Sequence, residues 1–298
     1  MPTLYVVQYN STTKTSSVLE FPANGQGSIT PTATINAPTG FIFTAVAVDV
    51  SGNIYVDAYN LDTTPVYEIL VYAPGATGAA SPMRTLTLTL PETTGSIAVD
   101  ATGQVYALLY NGNVINIYAA GATGNAAPIR QIYGSMTLLN DANSIAVDSA
   151  QNIYVANNFG KNILVFSSTA NGDVMPSRVL AGNATGLDWP SGITVDAAGD
   201  IFTTSDFLNS QVLLEFAPGA NGNVAPTRAL DSTSATSSTA LLGVSVDAVG
   251  NLYTVTENSP TWGPSIIVFS PTESGITVPA QTITSPAWTA SYGQIAIH

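Results

Sequence analysis

The chain has 298 residues, of which 45% are apolar and only 8% are charged, so a sizeable core must lie beneath an unusually uncharged surface. Nineteen acidic and six basic residues give a net charge of −13. This charge argues against nucleic-acid binding and against anionic membrane surfaces, since both require a positive field. There is no cysteine, and the longest apolar runs, such as residues 41–48, are too short to span a bilayer, so we expect no membrane insertion.

The first predicted elements are three strands, at residues 4–7, 17–21 and 31–35, which are rich in β-branched and aromatic residues. Met1, Pro2 and Thr3 lead directly into the first of them, and no signal peptide is visible. The surface composition is poor in Lys and rich in Asn, Thr and Ser, which favours an extracytoplasmic or secreted protein.

A four-residue phrase then recurs along the rest of the chain. Five copies end in Asp and the sixth ends the chain in His, with successive final residues 51, 48, 48, 51 and 51 positions apart. Near-equal spacing of this kind indicates an internal structural repeat. The six copies are 46–49, 97–100, 145–148, 193–196, 244–247 and 295–298.

Each copy is followed by the same series of predicted elements. After the Asp come a turn, an aromatic strand such as Ile54–Val56, a polar loop and a third apolar run such as Ile69–Tyr72. A Gly-rich connection such as 218–222 precedes a fourth short strand that opens with Pro-x-Arg, as in 226–230. Four strands per repeat of about fifty residues are typical of a propeller blade.

The two ends of the chain complete the count of blades. Residues 295–298 supply the first strand of a blade whose remaining strands come from residues 4–35. Pairing these ends closes the ring and removes the open sheet edges. The sequence therefore predicts an all-β protein with one domain, residues 1–298. That domain is a six-bladed β-propeller of four-stranded antiparallel blades.

The segment Ile145–Asn157 resembles an NHL repeat, and the whole chain resembles NHL-type six-bladed propellers. At the level of the fold these include gluconolactonase-like and streptogramin-lyase-like propellers. The resemblance implies the fold and leaves the function open, because such propellers include lyases, lactonases, esterases and binding proteins.

Comparison of the copies with one another favours one end of the propeller as the functional rim. The loops between second and third strands, and the crossovers between blades, vary in length and content, and such loops usually carry function. Aromatic side chains beside amides suit a neutral polar ligand such as a carbohydrate, or a protein partner. The predicted ligand-binding residues are Tyr59, Tyr110, Asn157, Asn158, Phe159, Trp189, Asp206, Phe207, Trp262 and Trp288.

A metal site is the second hypothesis for this rim. The resemblance to gluconolactonase-like propellers implies a divalent cation on the axis, held by Glu, Asn and Asp, and such oxygen ligands suit Ca²⁺. The candidate ligands are Asn157, Asp206 and Glu257, which we expect at roughly corresponding sites of successive blades, at the outer ends of the second strands. Apart from this Ca²⁺, the sequence suggests no cofactor.

Two sets of residues that recur at the same position in successive repeats have a structural explanation. The Asp that ends each phrase precedes a turn and is expected to accept local backbone N–H groups. Four of the six basic residues, Arg84, Arg130, Arg178 and Arg228, recur in the fourth strands, where we expect packing on the sheet and pairing with a turn carboxylate. The one histidine, His298, ends the chain, so histidine-dependent and nucleophilic chemistry has few candidates.

These observations favour a non-catalytic binding or interaction propeller that holds a neutral small molecule, a glycan or a protein partner. One alternative is a Ca²⁺-dependent hydrolase or lactonase of the gluconolactonase-like type, with Asp206 and Glu257 near the ion. Another is a structural surface or matrix protein. A central cavity ringed by acids would favour the enzyme, whereas exposed tryptophan on the rim would favour binding.

Overall fold

The computed structural model describes residues 2–60, 65–88, 94–109, 113–207, 210–231, 240–259, 263–289 and 291–298. Side chains at 206, 207, 210, 211, 257–259, 263, 291 and 292 lie outside this description. The described residues form six sheets, each with four strands of one antiparallel blade, and the first strands of successive blades contact one another around a closed ring. The predicted six-bladed β-propeller is confirmed.

The strands are numbered in chain order, and the blade shared by the two ends of the chain is called blade 6. The chain opens with β1 (Thr3–Asn10), β2 (Thr15–Pro22), β3 (Gly27–Ser28) and β4 (Ala33–Asn36). Blade 1 contains β5 (Phe41–Val48), β6 (Ile54–Asn60), β7 (Tyr67–Tyr72) and β8 (Arg84–Thr87). Blade 2 contains β9 (Thr94–Val99), β10 (Val105–Leu109), β11 (Val114–Tyr118) and β12 (Arg130–Ile132).

The second half of the ring follows the same order. Blade 3 contains β13 (Ala142–Val147), β14 (Ile153–Asn157), β15 (Asn162–Phe166) and β16 (Arg178–Leu180). Blade 4 contains β17 (Ile193–Val195), β18 (Ile201–Phe207), β19 (Ser210–Phe216) and β20 (Arg228–Asp231). Blade 5 contains β21 (Leu241–Val246), β22 (Leu252–Ser259), β23 (Gly263–Phe269) and β25 (Gln281–Thr284), with the two-residue β24 (Gly275–Ile276) before β25. Short 3₁₀ helices at Ser135–Thr137 and Asn183–Thr185 lie in the crossovers into blades 3 and 4.

The last strand, β26 (Ser291–Ile297), closes the ring as predicted. It pairs antiparallel with β1, and Leu4 lies opposite Ile297. Two backbone hydrogen bonds between Thr3 and His298, of 2.7 and 3.0 Å, extend this pairing to the end of the chain. Blade 6 is thus completed by strands from both ends, which leaves the ring without an open seam.

Apolar residues fill the interfaces between neighbouring blades. Between blades 1 and 2, for example, Tyr55 and Val71 pack with Ile97 and Val105 in one buried cluster. Because strand side chains alternate between two faces, each blade buries one set against the blade before it and the other against the blade after it. The core is therefore a ring of interfaces between blades.

The Gly-rich connection between third and fourth strands has a role that the sequence did not predict. Gly78 of blade 1 pairs with Ile35 in the outermost strand of blade 6, through backbone hydrogen bonds of 2.6 and 2.8 Å. The same parallel pairing recurs around the circumference, so the ring is also closed on its outside. The other pairs are Leu86 with Gly124, Ile132 with Gly172, Leu180 with Gly222, Leu230 with Gly275 and Ile283 with Gly27.

The repeated Asp begins a hydrogen-bonded unit at one end of each of blades 1–5. In blade 3, Asp148 accepts backbone N–H groups from Ala150 and Asn152 at 2.9 and 2.8 Å, as predicted for turn chemistry. It also accepts the Tyr154 hydroxyl at 3.0 Å, and that hydroxyl accepts Arg178 at 3.1 Å. Pairing of the arginines with a turn carboxylate was wrong, since Arg178 bonds the tyrosine and, at 3.1 Å, a carbonyl of the next blade.

Candidate functional site

The propeller has two unlike faces. The lower face carries the Asp turns and the connections from third to fourth strand, and the upper face carries the loops from second to third strand and the crossovers. The lower face repeats the unit built on Asp148 and its counterparts, whose turn hydrogen bonds recur in blades 1–5. Candidate sites for a ligand are therefore found on the upper face and in the axial channel.

The channel is a cavity of about 180 Å³ bounded by the first strands of all six blades. Its described lining consists of apolar and small polar residues and includes no carboxylate and no histidine. Within the described ranges, no group of three acidic, histidine or cysteine side chains is placed to hold a metal ion. The first residue of the repeated phrase lines the channel in each blade: Val46, Ile97, Ile145, Ile193, Val244 and Ile295.

The upper mouth of the channel is crossed by hydrogen bonds that join Ser96 to a neighbouring blade and to a blade that is not its neighbour. Ser96 of blade 2 donates to the Gln294 amide oxygen of blade 6 at 3.3 Å, and its hydroxyl accepts the Ile145 N–H of blade 3 at 3.3 Å. Between blades 5 and 6 the first strands approach so closely that a Cβ on Gly243 would lie 2.0 Å from the Gly293 carbonyl oxygen. The mouth is thus narrow and lined by neutral groups.

Asp57 is a buried carboxyl group near the upper end of blade 1. It is 2% exposed and accepts a hydrogen bond from Thr44, which lies in the first strand of the same blade. Burial raises the pKa of Asp57 to about 6, against the effect of this hydrogen bond. Because Asp57 lies beneath the surface, its ionisation affects the stability of the fold and not the contact with a ligand.

The exposed aromatic residues of blades 3 and 4 form the most distinctive feature of the upper face. Phe159 and Trp189 are 52% and 39% exposed, and their rings meet edge to face with centroids 4.7 Å apart. Lys161 lies 5.1 Å from the Trp189 ring centroid and pairs with Asp188 at 2.5 Å. We call Asn158, Phe159, Lys161, Asp188 and Trp189 the rim platform.

Trp189 is held in an unusual backbone conformation, with φ of 58°. Asp141, at the same position of the preceding crossover, has φ of 52°, so the crossover imposes this geometry. Asp tolerates left-handed backbone, but a bulky residue there is an outlier that costs about 1–3 kcal/mol. Such strain, at an exposed residue that adds little to the core, is typical of functional positions.

A cleft adjoins the rim platform through Lys161 and Asp188. It has a volume of about 560 Å³ and lies between the blade 3 hairpin and the crossover into blade 4. Gly160, Gly182 and Asn183 contribute to its walls, so backbone groups are accessible in it. The platform and the cleft together give an aromatic surface beside polar neutral walls.

Three of the ten predicted ligand-binding residues come together on this platform: Asn158, Phe159 and Trp189. The Asn158 amide donates to the Pro190 carbonyl at 3.1 Å and so fixes the backbone next to Trp189. Tyr59 lies on blade 1, away from the platform, stacked on Tyr67 with centroids 6.1 Å apart. Tyr110 and Trp262 lie outside the described residues, as do the side chains of Asp206 and Phe207.

Two of the predicted residues are buried, and their side chains contact other parts of the protein. Trp288 is 4% exposed and packs in the core with its ring 5.9 Å from that of Phe21. Asn157 is fully buried, accepts the Asn140 N–H at 2.7 Å and donates to the Leu138 carbonyl at 3.0 Å. Its amide therefore holds the crossover that enters blade 3.

The three candidate metal ligands lie near the ends of the second strands, at positions that differ by one residue between blades. Asn157 is the fifth residue of the second strand of its blade, whereas Asp206 and Glu257 are the sixth residues of theirs. Successive residues of a strand face opposite sides, so Asn157 is out of register with the other two. The side chains of Asp206 and Glu257 lie outside the described residues, and Ca²⁺ binding stays a prediction.

Sequence reasoning missed Lys161, Asp188 and Asp57 as site residues. Lys161 is one of two lysines in the chain, and its rarity on a variable loop was an available signal. Asp57 interrupts an apolar second strand in which its counterparts include Leu108, Ala156 and Val255, so comparison of the copies could have found it.

No protein-family model and no curated protein matches the sequence. Solved structures do match in fold. A Bacteroides uniformis protein named "putative 6-phosphogluconolactonase" is 14% identical, with a TM-score of 0.61 over 92% of this chain and 80% of that one. A Lactobacillus plantarum protein is 12% identical, with a TM-score of 0.54 over 100% and 99% of the two chains. A Bacteroides caccae protein of unknown function is 12% identical, with a TM-score of 0.54 over 80% and 96%. At these identities the likeness establishes the propeller fold alone.

Proposed function

We propose that the chain is a non-catalytic binding propeller that holds a neutral polar ligand, of which a glycan is the best candidate, on the rim platform. The observation that carries this proposal is the exposed Phe159–Trp189 pair, whose tryptophan is kept in a strained backbone conformation. Aromatic rings beside hydrogen-bonding groups are the usual means of holding the apolar and polar faces of one ligand.

The charges of the platform favour a neutral ligand over an ionic one. Lys161 and Asp188 lie 2.5 Å apart and neutralise each other. The cleft beside them offers backbone groups and the Asn183 amide rather than a cluster of one charge. A ligand with many hydroxyl groups can hydrogen-bond there without losing an ionic hydration shell.

The test is a calorimetric titration of the protein with a panel of neutral and sulfated soluble glycans. We expect a neutral glycan to bind, and Trp189→Ala to weaken that binding at least about ten-fold, because truncation of a central aromatic contact typically costs more than 1 kcal/mol. Tyr133→Ala is the matched control, since Tyr133 is 50% exposed but lies outside the platform.

Two outcomes would contradict the proposal. One is a glycan affinity that Trp189→Ala and Phe159→Ala leave unchanged. The other is the absence of binding across the panel, which would favour a protein partner or a structural role instead.

The hydrolase alternative is tested by the same material. A neighbour in fold bears a lactonase name, and the rim acids Asp206 and Glu257 would be its candidates. A rise in melting temperature with Ca²⁺ that EDTA reverses, together with hydrolysis of lactones or esters, would favour that alternative. The neutral lining of the described channel is the reason why we place it second.

A further inference from the structure

The lower face carries an arginine at one repeated position in blades 1–4, whereas blade 5 has Gln281 and blade 6 has Ala33 there. In blades 1–4 the residue opposite the middle of the third strand is an arginine, as in the pairs Val71–Arg84 and Glu215–Arg228. In blade 5 the same position, opposite Val268, is Gln281. The side chain there is shorter and uncharged, although the tyrosine and the turn carboxylate of blades 1–3 are retained as Tyr253 and Asp247.

The filled blades show what the missing guanidinium contacts. Arg178 lies with its guanidinium carbon 5.4 Å from the Tyr154 ring centroid, and donates to the tyrosine hydroxyl and to the Ala220 carbonyl of the next blade, both at 3.1 Å. Arg84 repeats the contact with Tyr55, with the same 3.1 Å hydrogen bond. Arg178 therefore bridges the tyrosine of its own blade and a loop of the next.

Blade 4 shows that the guanidinium matters more than the tyrosine. There Phe202 replaces the tyrosine, and Glu215 on the neighbouring strand pairs with Arg228 at 2.6 Å instead. Arg228 still donates to the Ser270 and Pro271 carbonyls of blade 5, at 3.2 and 2.8 Å. Phenylalanine is thus accommodated at the tyrosine position.

A cavity occupies the corresponding place in blade 5. It lies between blades 5 and 6 and has a volume of about 350 Å³. This volume is several times the ~30 Å³ of a water molecule. Its walls include Asp247, Tyr253 and Gln281 of blade 5 and the loop residues Ala23 and Asn24 of blade 6. Asp247 and Tyr253 are the counterparts of Asp148 and Tyr154, which lie beside Arg178 in blade 3.

The polar groups of this cavity suit a cation. Tyr253 donates its hydroxyl to Asp247 at 3.0 Å, which directs its oxygen lone pairs elsewhere. Burial opposes ionisation of Asp247, but hydrogen bonds from Asn251, Tyr253 and Val249 outweigh it and hold the pKa of the carboxyl below its ordinary value. A negative charge and an aromatic face are therefore available to an incoming cation.

We infer that the cavity between blades 5 and 6 binds a guanidinium group, which takes the place that an arginine side chain fills in blades 1–4. The group donates to the Tyr253 hydroxyl and to a carbonyl of the blade 6 loop, with its plane over the tyrosine ring. It belongs either to free arginine or to an arginine side chain of a protein partner, and the net charge of −13 draws both toward the protein.

The probe is methylguanidinium, with methylammonium at equal concentration as the control cation. At millimolar concentration we expect methylguanidinium to raise the melting temperature by about 2 °C and methylammonium to have a smaller effect. Gln281→Arg fills the cavity with the chain's own side chain, so this variant should melt higher than the wild type and lose the response. Tyr253→Phe should weaken binding about ten-fold. We expect this variant to fold, because Phe202 occupies the same position in blade 4.

A second variant creates the same cavity elsewhere. Arg178→Gln should vacate the site in blade 3, lower the melting temperature and add a second binding event for methylguanidinium. Comparison of free arginine with a blocked Gly-Arg-Gly peptide distinguishes the two sources, since tighter binding of the peptide indicates a partner's side chain. Equal responses of wild type and Gln281→Arg, or no difference between the two cations, would overturn the inference.

Discussion

The lower and upper faces of this propeller use the same strands for different purposes. On the lower face, hydrogen bonds of the kind that join Asp148, Tyr154 and Arg178 recur around the ring and link each blade to the next. On the upper face, none of the other described loops repeats the pair of Phe159 and Trp189. The repeated residues of the lower face therefore hold the ring together. The residues of the upper face that depart from the repeat are the ones that a specific ligand would contact.

The largest expected effect is at the channel mouth, where the upper ends of the first strands meet. Gly243→Ala would place a methyl group 2.0 Å from a backbone carbonyl oxygen, and backbone cannot yield cheaply. We expect a loss of more than about 3 kcal/mol in the free energy of unfolding, measured by urea denaturation.

The matched control lies on the lower face. Gly219 has φ of 77° and nothing within 4 Å of an added Cβ, so Gly219→Ala should cost only about 1–2 kcal/mol, from the left-handed backbone. Equal losses in the two variants would refute the crowding at the mouth.

Asp57 gives the next effect, through its pH dependence. The folded-state pKa of about 6 lies above the ordinary value of 3.8, so ionisation weighs against folding. Stability that is fully present below pH about 4 is lost as the pH rises through 6, by about 3 kcal/mol in total. Asp57→Asn lacks this loss, and the difference between its unfolding free energy and that of the wild type should change across this pH window. Parallel pH profiles would contradict the assignment.

The comparison of faces is sharpened by removing one carboxylate from each. Asp148 accepts four hydrogen bonds, two from backbone and two from side chains, and Asp148→Ala should cost about 2 kcal/mol. Asp188→Ala removes a half-exposed ion pair of the rim platform and should cost less than about 1 kcal/mol. Chemical denaturation measures both, and a larger loss at Asp188 would reverse the roles that we give to the two faces.

A smaller effect, of opposite sign, is expected in blade 6. Glu20 occupies the register of Glu215, but the residue opposite it is Ala33 where blade 4 has Arg228. Glu20 is 7% exposed, and one of its oxygens finds no hydrogen-bond partner within the described part of the chain. Ala33→Arg should therefore stabilise the fold by about 1 kcal/mol. Ala33→Met, which adds bulk without charge, should not.

The sequence predicted those features that six copies repeat. The phrase at 145–148 and its counterparts located the first strands, and the short last copy at 295–298 predicted the closure that pairs Leu4 with Ile297. Because all six copies support the same prediction, a wrong assignment in one blade does not alter the predicted architecture. The Gly-rich connections were visible as well, but their pairing with the preceding blade depends on contacts between residues about forty positions apart.

Features that occur once were harder to predict. Trp288 and Trp189 both precede a first strand, yet one lies in the core and the other is exposed, because burial depends on the neighbouring blade rather than on local sequence. Asn157 was taken for a ligand-binding residue, whereas its amide satisfies backbone groups of a crossover. A single sequence gives no second copy against which such residues can be compared.

The most direct test of the account measures stability and glycan affinity together in Trp189→Ala and Asp148→Ala. We predict that Trp189→Ala changes the free energy of unfolding by less than about 1 kcal/mol and weakens glycan binding at least about ten-fold. Asp148→Ala should lower stability by about 2 kcal/mol and leave the affinity of the folded protein unchanged. If Asp148→Ala weakens binding while Trp189→Ala does not, the assignment of a structural role to the Asp148 unit and of glycan binding to the rim platform is wrong.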